Sequence, residues 1–415
     1  MTNAISIVVG AQAGSEAKGL YLSSVCTQYD AAVRTGAPNA GHTVFYKDKS
    51  YGMQIIPATW MNEKCKLIIG AGALIDIKQL DLELRWIEEA FGTSQKHRVF
   101  IDPKAGMLSD THIEKEVDAD IHNRIGSTAH GCGEALIDRI CRRDDYIFFG
   151  DTAFAKENNS RFQLTDTAKL INDLYDMGAR IVLEGTQGSA LSLYHSSYAP
   201  KCTSRDTNAA NWLMEAGLSP ALKYEVVLVA RTYPIRVAGN SGDLGEEISW
   251  CDLYEKRLGS AGRSTMEIKE LKKLEALYKA KAKDGTIQPT MVHRTMFEEH
   301  PWTVELCDDM NKVFGCQSTV TRKFRRVFEF DPIYWERAVM LNRPAKVCLN
   351  FLNYKFPIVE KCKTWEEMIC LPSWSKIIEY LLTFPPSLTS KLKYLGVNKT
   401  TVIQVPDEIN FENFR

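Results

Sequence analysis

The chain has 415 residues, 45% of them hydrophobic and 25% charged, which is enough apolar material for one large core or two modest ones. A formal net charge of −1 lacks the basic excess of a general nucleic-acid binder, so any nucleotide handled here is a small molecule held in a pocket. The 11 cysteines, odd in number and never spaced as C-x-x-C, suit reduced thiols in a cytoplasm rather than a disulfide framework or a zinc site.

The first apolar run, Ala4–Gly10, has no basic stretch before it and is too short for a signal sequence or a membrane span. It reads as a strand, Ile5–Val9, of an intracellular protein that has no membrane partner. That strand runs into Gly10-Ala11-Gln12-Ala13-Gly14-Ser15-Glu16-Ala17-Lys18-Gly19. Small residues after a strand, with a lysine opening a helix, are how backbone amides and one cation cradle phosphates. Gly14 and Lys18 lack Walker A spacing, and a plain tight turn is the alternative. A second loop, Arg34-Thr35-Gly36-Ala37-Pro38-Asn39-Ala40-Gly41-His42-Thr43, packs small residues around one histidine. His42 is either a core histidine or a group facing a ligand that the backbone approaches closely.

Further strands are predicted at Leu67–Ile69, Ile181–Leu183, Val226–Val229 and Val347–Leu349, near-continuous apolar runs of the kind buried on both faces of a parallel sheet. Between them, Thr165 or Asp166 caps a helix with Leu170, Ile171, Leu174 and Tyr175 on its apolar face, and Gly178 ends it. Met266–Lys283 reads as a charged helix with Ile268, Leu271, Leu274 and Tyr278 inward and interleaved Glu and Lys in solvent. The alternation predicts an α/β protein, a mostly parallel sheet with helices on both faces, whose sites lie at the C-terminal ends of strands. With no repeats or linkers, residues 1–415 read as one large domain with helical insertions.

The two loops resemble the signatures G-x-Q-W-G-D-E-G-K-G-K and N-A-G-H-T of the adenylosuccinate synthetase family. The likeness continues in order. Ile125–Gly133 resembles I-G-T-T-G-R-G-I-G, Glu184-Gly185-Thr186-Gln187-Gly188 resembles E-G-A-Q-G, and Thr203-Ser204 sits where the family has T-S-S-N-T. Arg236-Val237 resembles the R-V of S-T-R-V-G, and Ser318–Arg326 resembles the threonine- and arginine-rich aspartate loop. The resemblance implies a P-loop-like fold and a two-step ligation. The 6-oxygen of inosinate attacks the γ-phosphate of GTP, and the amine of aspartate then displaces phosphate.

Carried over residue by residue, His42 would polarise the transferring phosphoryl group and Gln187 would hold the 6-oxygen. Gly14, Glu16, Ala17, Lys18, Gly41, His42 and Thr43 would surround the donor phosphates. The acceptor nucleotide would lie against Ser15, Asn39, Ser127, Thr128, Gln187, Thr203, Val237 and Arg142, the last reaching across from a second subunit of a homodimer. Thr319, Val320, Thr321 and Arg325 would bind aspartate, with Arg325 also near the donor. Mg²⁺ would meet Ser15 and the Gly41 carbonyl.

Several positions depart from the family pattern. Ser15 replaces the aspartate that takes the N1 proton, Ala13 replaces a tryptophan, and Ala17 replaces a glycine. Loss of a general base can cost about 10²–10⁴-fold, which would fit a non-catalytic nucleotide-binding homologue. A serine hydroxyl also leaves room for, and accepts from, the 2-amino group of guanine. That substitution resembles a viral branch of the family that makes N6-succino-2-amino-2'-deoxyadenylate from dGMP. Where the family reads the guanine of GTP with T-K-L-D, this chain has Asn350-Phe351-Leu352-Asn353. Asn353 can face adenine and Phe351 can stack on it, so ATP or dATP is the expected donor. The alternative is an ordinary synthetase using inosinate and GTP.

Overall fold

A computed structural model describes residues 5–125, 127, 129–236, 244–258, 265–287, 292–300, 302–316 and 325–415. Ten strands form the central sheet: β1 (Ile5–Gly10), β2 (Ala31–Arg34), β3 (Lys66–Ile69), β4 (Val99–Ile101), β5 (Gln163–Leu164), β6 (Ile181–Glu184), β7 (Tyr224–Arg231), β8 (Lys346–Asn350), β9 (Leu392–Gly396) and β10 (Val402–Gln404). Their order is β10-β9-β8-β7-β1-β6-β2-β3-β4-β5, and every neighbouring pair is parallel except β9 with β10.

Strand periodicity divides the apolar residues between two cores. Ile5, Ile7, Val9, Val33, Leu183, Leu228 and Leu349 join one buried cluster, while Val8, Ala32, Leu67, Val182, Val227 and Cys348 join the cluster on the opposite face. Both faces are therefore dry, and the strands carry the β-branched runs that made them visible in the sequence.

Six helices matter to the site: α1 (Lys18–Val25), α2 (Ile77–Phe91), α3 (Asp110–Asp118), α4 (Cys132–Cys141), α5 (Thr167–Asp176) and α6 (Thr265–Lys283). In α5, Asp166 is the N-cap and accepts from the Lys169 amide, and Gly178 follows the helix at φ 81°. In α6, Ile268, Leu271 and Tyr278 are buried in line with the predicted face. A third apolar cluster joins α6 and its neighbours through Trp250, Tyr254 and Phe314 to Phe351 and Tyr354, just beyond β8. None of the described cysteines forms a disulfide, and no helix among the described residues is long and apolar enough to cross a membrane.

Candidate active site

The C-terminal ends of β1, β2, β6, β7 and β8, adjacent in the sheet, all open into the loops the sequence singled out, as expected for parallel α/β sheets. The loop after β1 is shaped from within by Glu16. Its Oε1 accepts from the amides of Gln12 at 2.9 Å and Gly14 at 2.8 Å, and its Oε2 pairs with Lys18 Nζ at 3.0 Å. Lys18 also donates to the carbonyls of Gly14 at 3.3 Å and Gln187 at 2.5 Å. Glu16 and Lys18 thus lie buried beneath the loop, where they brace it, and do not line the cavity.

Two glycines allow this loop to meet the one after β6. Gly14 has φ 91°, and a Cβ there would come within 3.1 Å of Gln187 Oε1; at Gly188 a Cβ would lie 2.3 Å from the Gln12 carbonyl. Ala17, where the family has glycine, takes φ 62° as the N-cap of α1, a left-handed conformation costing about 1–2 kcal/mol for a residue with a Cβ. Ala13 packs with Leu244 and Phe328 in a small apolar cluster.

The histidine loop is anchored by an ion pair at one rung of the sheet. Arg34, at the end of β2, is the register partner of Glu184, at the end of β6. Glu184 Oε1 accepts from Arg34 Nη1 and lies 2.6 Å from His42 Nδ1, and Oε2 accepts from the Ala58 amide at 2.7 Å. Arg34 Nη2 donates to the Ala40 carbonyl at 2.5 Å. Burial, with Arg34 close by, pushes the His42 imidazole down to about 4. Burial would raise the Glu184 carboxyl, but Arg34 and His42 outweigh it and hold it below the ordinary carboxylate range. The His42 Nε2 atom is buried and has no hydrogen-bond partner among the described residues.

These loops enclose a cavity of about 380 Å³ that brings together Gly14, Ser15, Asn39, Gly41, His42, Ser127, Gln187, Thr203 and Arg325. It also takes in Arg236, whose Nη2 donates to the Lys201 carbonyl at 3.1 Å and whose guanidinium lies 4.9 Å from the Tyr198 ring centroid. Glu116 on α3 was not singled out by the sequence. Its carboxylate accepts from Ser127 Oγ and the Gly131 amide, so it ties those two residues together beside the cavity. Nothing local marks it, because its partners lie beyond its own helix.

Not every expected residue shares that space. Thr43 lies on the hairpin His42–Tyr46/Lys49–Met53 and outside the cavity lining. Arg142 is exposed at the C-cap of α4. Phe351 and Asn353 sit to one side, joined to Ser15 by Arg231. The Arg231 guanidinium lies 3.9 Å from the Phe351 ring centroid, and it donates to the Ser15 carbonyl at 3.0 Å and to Tyr354 Oη at 2.8 Å. Asn353 is buried, and its Oδ1 has no partner among the described residues. Thr128, Val237, Thr319, Val320 and Thr321 lie outside the described residues.

A model of the family described as adenylosuccinate synthetase matches residues 7–149 and 150–366. The chain belongs to the adenylosuccinate synthetase family. Membership makes it a C–N ligase that binds nucleotides. The adenylosuccinate synthetase of Methanosphaera stadtmanae is 34% identical over 368 residues, spanning 88% of this chain and 87% of that protein. That of Methanococcus aeolicus is 38% identical over 237 residues, spanning 56% of this chain and 67% of its own. Two solved structures share the adenylosuccinate synthetase fold. Fully ligated adenylosuccinate synthetase from Plasmodium falciparum matches with a TM-score of 0.71 and 16% identity, over 98% of this chain and 100% of its own. The cyanophage S-2L succinoaminodeoxyadenylate synthetase, solved with dGMP and with dATP as energy donor, matches with a TM-score of 0.67 and 22% identity, over 100% and 98%.

Proposed function

We propose that this ligase joins L-aspartate to dGMP, using ATP or dATP, and releases N6-succino-2-amino-2'-deoxyadenylate, the nucleoside diphosphate and phosphate in the cytoplasm. The observation that carries the reading is Ser15. It replaces the family's aspartate, and it lines the same cavity as Gln187, the residue assigned to the purine 6-oxygen. Guanine carries an amine beside N1, on the side where that aspartate would stand. A hydroxyl is smaller than a carboxylate and accepts a hydrogen bond from the amine, and a site built around a polar group rejects substrates that leave it unmatched. The cyanophage enzyme solved with dGMP and dATP supports the same choice of acceptor and donor.

In this reading Gln187 orients the 6-oxygen toward the γ-phosphate while His42, from the opposite loop, meets the transferring phosphoryl group. Asn39, Ser127, Thr128, Thr203 and Val237 seat the acceptor nucleotide, and Arg142 of a second copy closes over its phosphate. Thr319, Val320, Thr321 and Arg325 hold aspartate so that its amine reaches C6 as phosphate departs. Gly14, Glu16, Ala17, Lys18, Gly41 and Thr43 shape the donor phosphate cradle, and Phe351 and Asn353 receive its base. Ser15 and Gly41 both line the cavity, and a serine hydroxyl and a backbone carbonyl are neutral oxygen donors suited to a magnesium ion that keeps waters and phosphate oxygens as its other ligands. Mg²⁺ bound there would neutralise charge on the donor phosphates.

A second reading, condensation of inosinate with GTP as donor, is favoured by the 34–38% identical relatives named adenylosuccinate synthetase. One panel separates the two: IMP, GMP and dGMP, each with aspartate, Mg²⁺ and either ATP, dATP or GTP, with products read by mass. The expected result is a succinylated product from dGMP with an adenine nucleotide. Product from IMP alone would replace the proposal with the second reading, and no product from any mixture would leave a nucleotide-binding homologue. The substitution Ser15→Asp is expected to lower dGMP turnover by about 10²-fold or more, the scale of a mismatched buried polar group. Unchanged dGMP turnover in that variant would remove the shape argument even with the activity intact.

A further inference from the structure

Arg34 and Glu184 form a buried ion pair at the rims of two adjacent strands, and neither lines the cavity. We propose that Glu184 is the positioning residue of His42: its carboxylate takes the Nδ1–H of the imidazole, fixes the tautomer and turns Nε2 into the cavity, while Arg34 holds that carboxylate in place. The proposal rests on reading His42 as the group that meets the transferring phosphoryl.

Each oxygen of Glu184 has an assigned donor. Oε1 is shared by Arg34 Nη1 and His42 Nδ1, the latter at 2.6 Å, and Oε2 is pinned by the Ala58 amide at 2.7 Å, so the carboxylate is fixed in rotation. An ionised carboxylate can only accept, so at 2.6 Å it favours a hydrogen on Nδ1 over the longer 3.2 Å approach of Arg34 Nη1 to the same nitrogen. That leaves Nε2 as the nitrogen that faces the cavity, where the ring donates to a phosphoryl oxygen once Nε2 carries a proton. Nε2 is buried, lacks a partner among the described residues, and belongs to a residue that lines the cavity. Arg34 reinforces the arrangement through its second nitrogen, which grips the Ala40 carbonyl at 2.5 Å, two residues before His42. The backbone of α1 packs closely against the base of the His42 side chain. A Cβ at Gly19 would lie 2.7 Å from the Thr43 carbonyl and 3.1 Å from His42 Cβ. The imidazole is thus fixed in position, rotation and tautomer by three parts of the chain: the rims of β2 and β6 and the first turn of α1. A buried ion pair that only joined two strands would be a poor source of stability and would be indifferent to which histidine nitrogen is protonated.

The test is a nitrogen NMR spectrum of the full-length protein labelled at its 8 histidines, with the His42 signal assigned by its loss in His42→Asn. The expected spectrum shows the Nδ1–H tautomer for His42. Glu184→Gln, which can present either an oxygen or an amine to Nδ1, is expected to give a mixture of tautomers. It should lower kcat about 10–100-fold, as removal of an orienting partner does elsewhere, with each substrate KM near its original value. Glu184→Asp keeps a charge opposite Arg34 but withdraws it by one methylene, so it is expected to fold and still lose kcat. Should Glu184→Gln fail to fold, Glu184→Asp and the unsubstituted protein's spectrum decide the matter. An Nε2–H tautomer in the unsubstituted protein, or unaltered kcat in Glu184→Asp, would overturn the role of Glu184. Full activity in His42→Asn would instead remove the role of His42 and this inference with it, whereas an inactive His42→Asn beside a normal Glu184→Asp would remove only the inference.

Discussion

Asn353 illustrates how one side chain can set the choice of phosphate donor. Its carboxamide is buried, and its Oδ1 has no hydrogen-bond partner among the described residues, although unmade bonds of buried acceptors cost about 1–3 kcal/mol. An adenine base would supply the missing donor through its 6-amino group and accept from the amide nitrogen at N1. The Asn353 carbonyl is held by Arg257 Nη1 at 3.0 Å, which fixes the backbone from which that side chain projects. Asn353→Asp replaces a group that both donates and accepts with one that only accepts, which suits the N1–H and 2-amino group of guanine. The ratio of kcat/KM for ATP to that for GTP is therefore expected to fall by at least about tenfold, the scale of exchanging a matched for an unmatched buried hydrogen bond. A donor ratio unmoved by Asn353→Asp, measured at saturating aspartate and acceptor, would take Asn353 out of base recognition. Arg231 makes the neighbourhood coherent: it lies over Phe351, bonds Tyr354, and reaches the Ser15 carbonyl, so the expected donor-base residues and the acceptor-side serine share one cation.

At the scale of elements, the loops depend on buried carboxylates that replace solvent for the backbone. Glu83 on α2 is fully buried and accepts from the amides of Gln54 at 2.6 Å, Ile55 at 3.1 Å and Ile56 at 2.7 Å, as well as from Gln79 Nε2 at 2.8 Å. A glutamine there would turn an NH₂ toward N–H donors, so Glu83→Gln is expected to destabilise the fold by about 2–3 kcal/mol, read as a lower denaturation midpoint at unchanged slope. A midpoint equal to that of the unsubstituted protein would show that water or a shifted loop satisfies those amides. This device also explains what the sequence could and could not disclose. Strands such as Ile5–Gly10 and Tyr224–Arg231 announce themselves because both faces are buried, and the loops after Ile5–Gly10 and Ala31–Arg34 because small residues cluster where chains meet. The short outer strands Gln163–Leu164 and Val402–Gln404 have too few residues to show a period. Glu83, Glu116 and the pairing of Arg34 with Glu184 were hidden for another reason: their partners are set by how the chain folds back, 150 residues away for Arg34 and Glu184.

At the scale of the whole molecule, one surface is difficult to explain for a chain acting alone. On α3 and α4, side by side, Val117 is 57% exposed and Ile140 72% exposed, with Ile113 and Ile137 beside them, a concentration of apolar residues that marks an interaction face. Ile137 also lines the cavity, and exposed Arg142 caps α4 in the left-handed conformation at the edge of this face. A two-fold contact between copies would bury the patch against itself and bring each Arg142 toward the other copy's site, the arrangement that family resemblance implies. Ile140→Asp is then expected to shift the protein to monomers in light scattering and to weaken acceptor binding. Arg142→Leu should stay dimeric and lose acceptor affinity. The decisive measurement mixes two inactive proteins, Arg142→Leu and His42→Asn, after reversible dissociation. In a mixed dimer one site combines an intact His42 with an intact Arg142, and random reassortment makes half the dimers mixed, so about a quarter of full activity should return. Activity equal to the sum of the separate proteins would mean that each chain completes its own site, and the apolar face would then require a different partner.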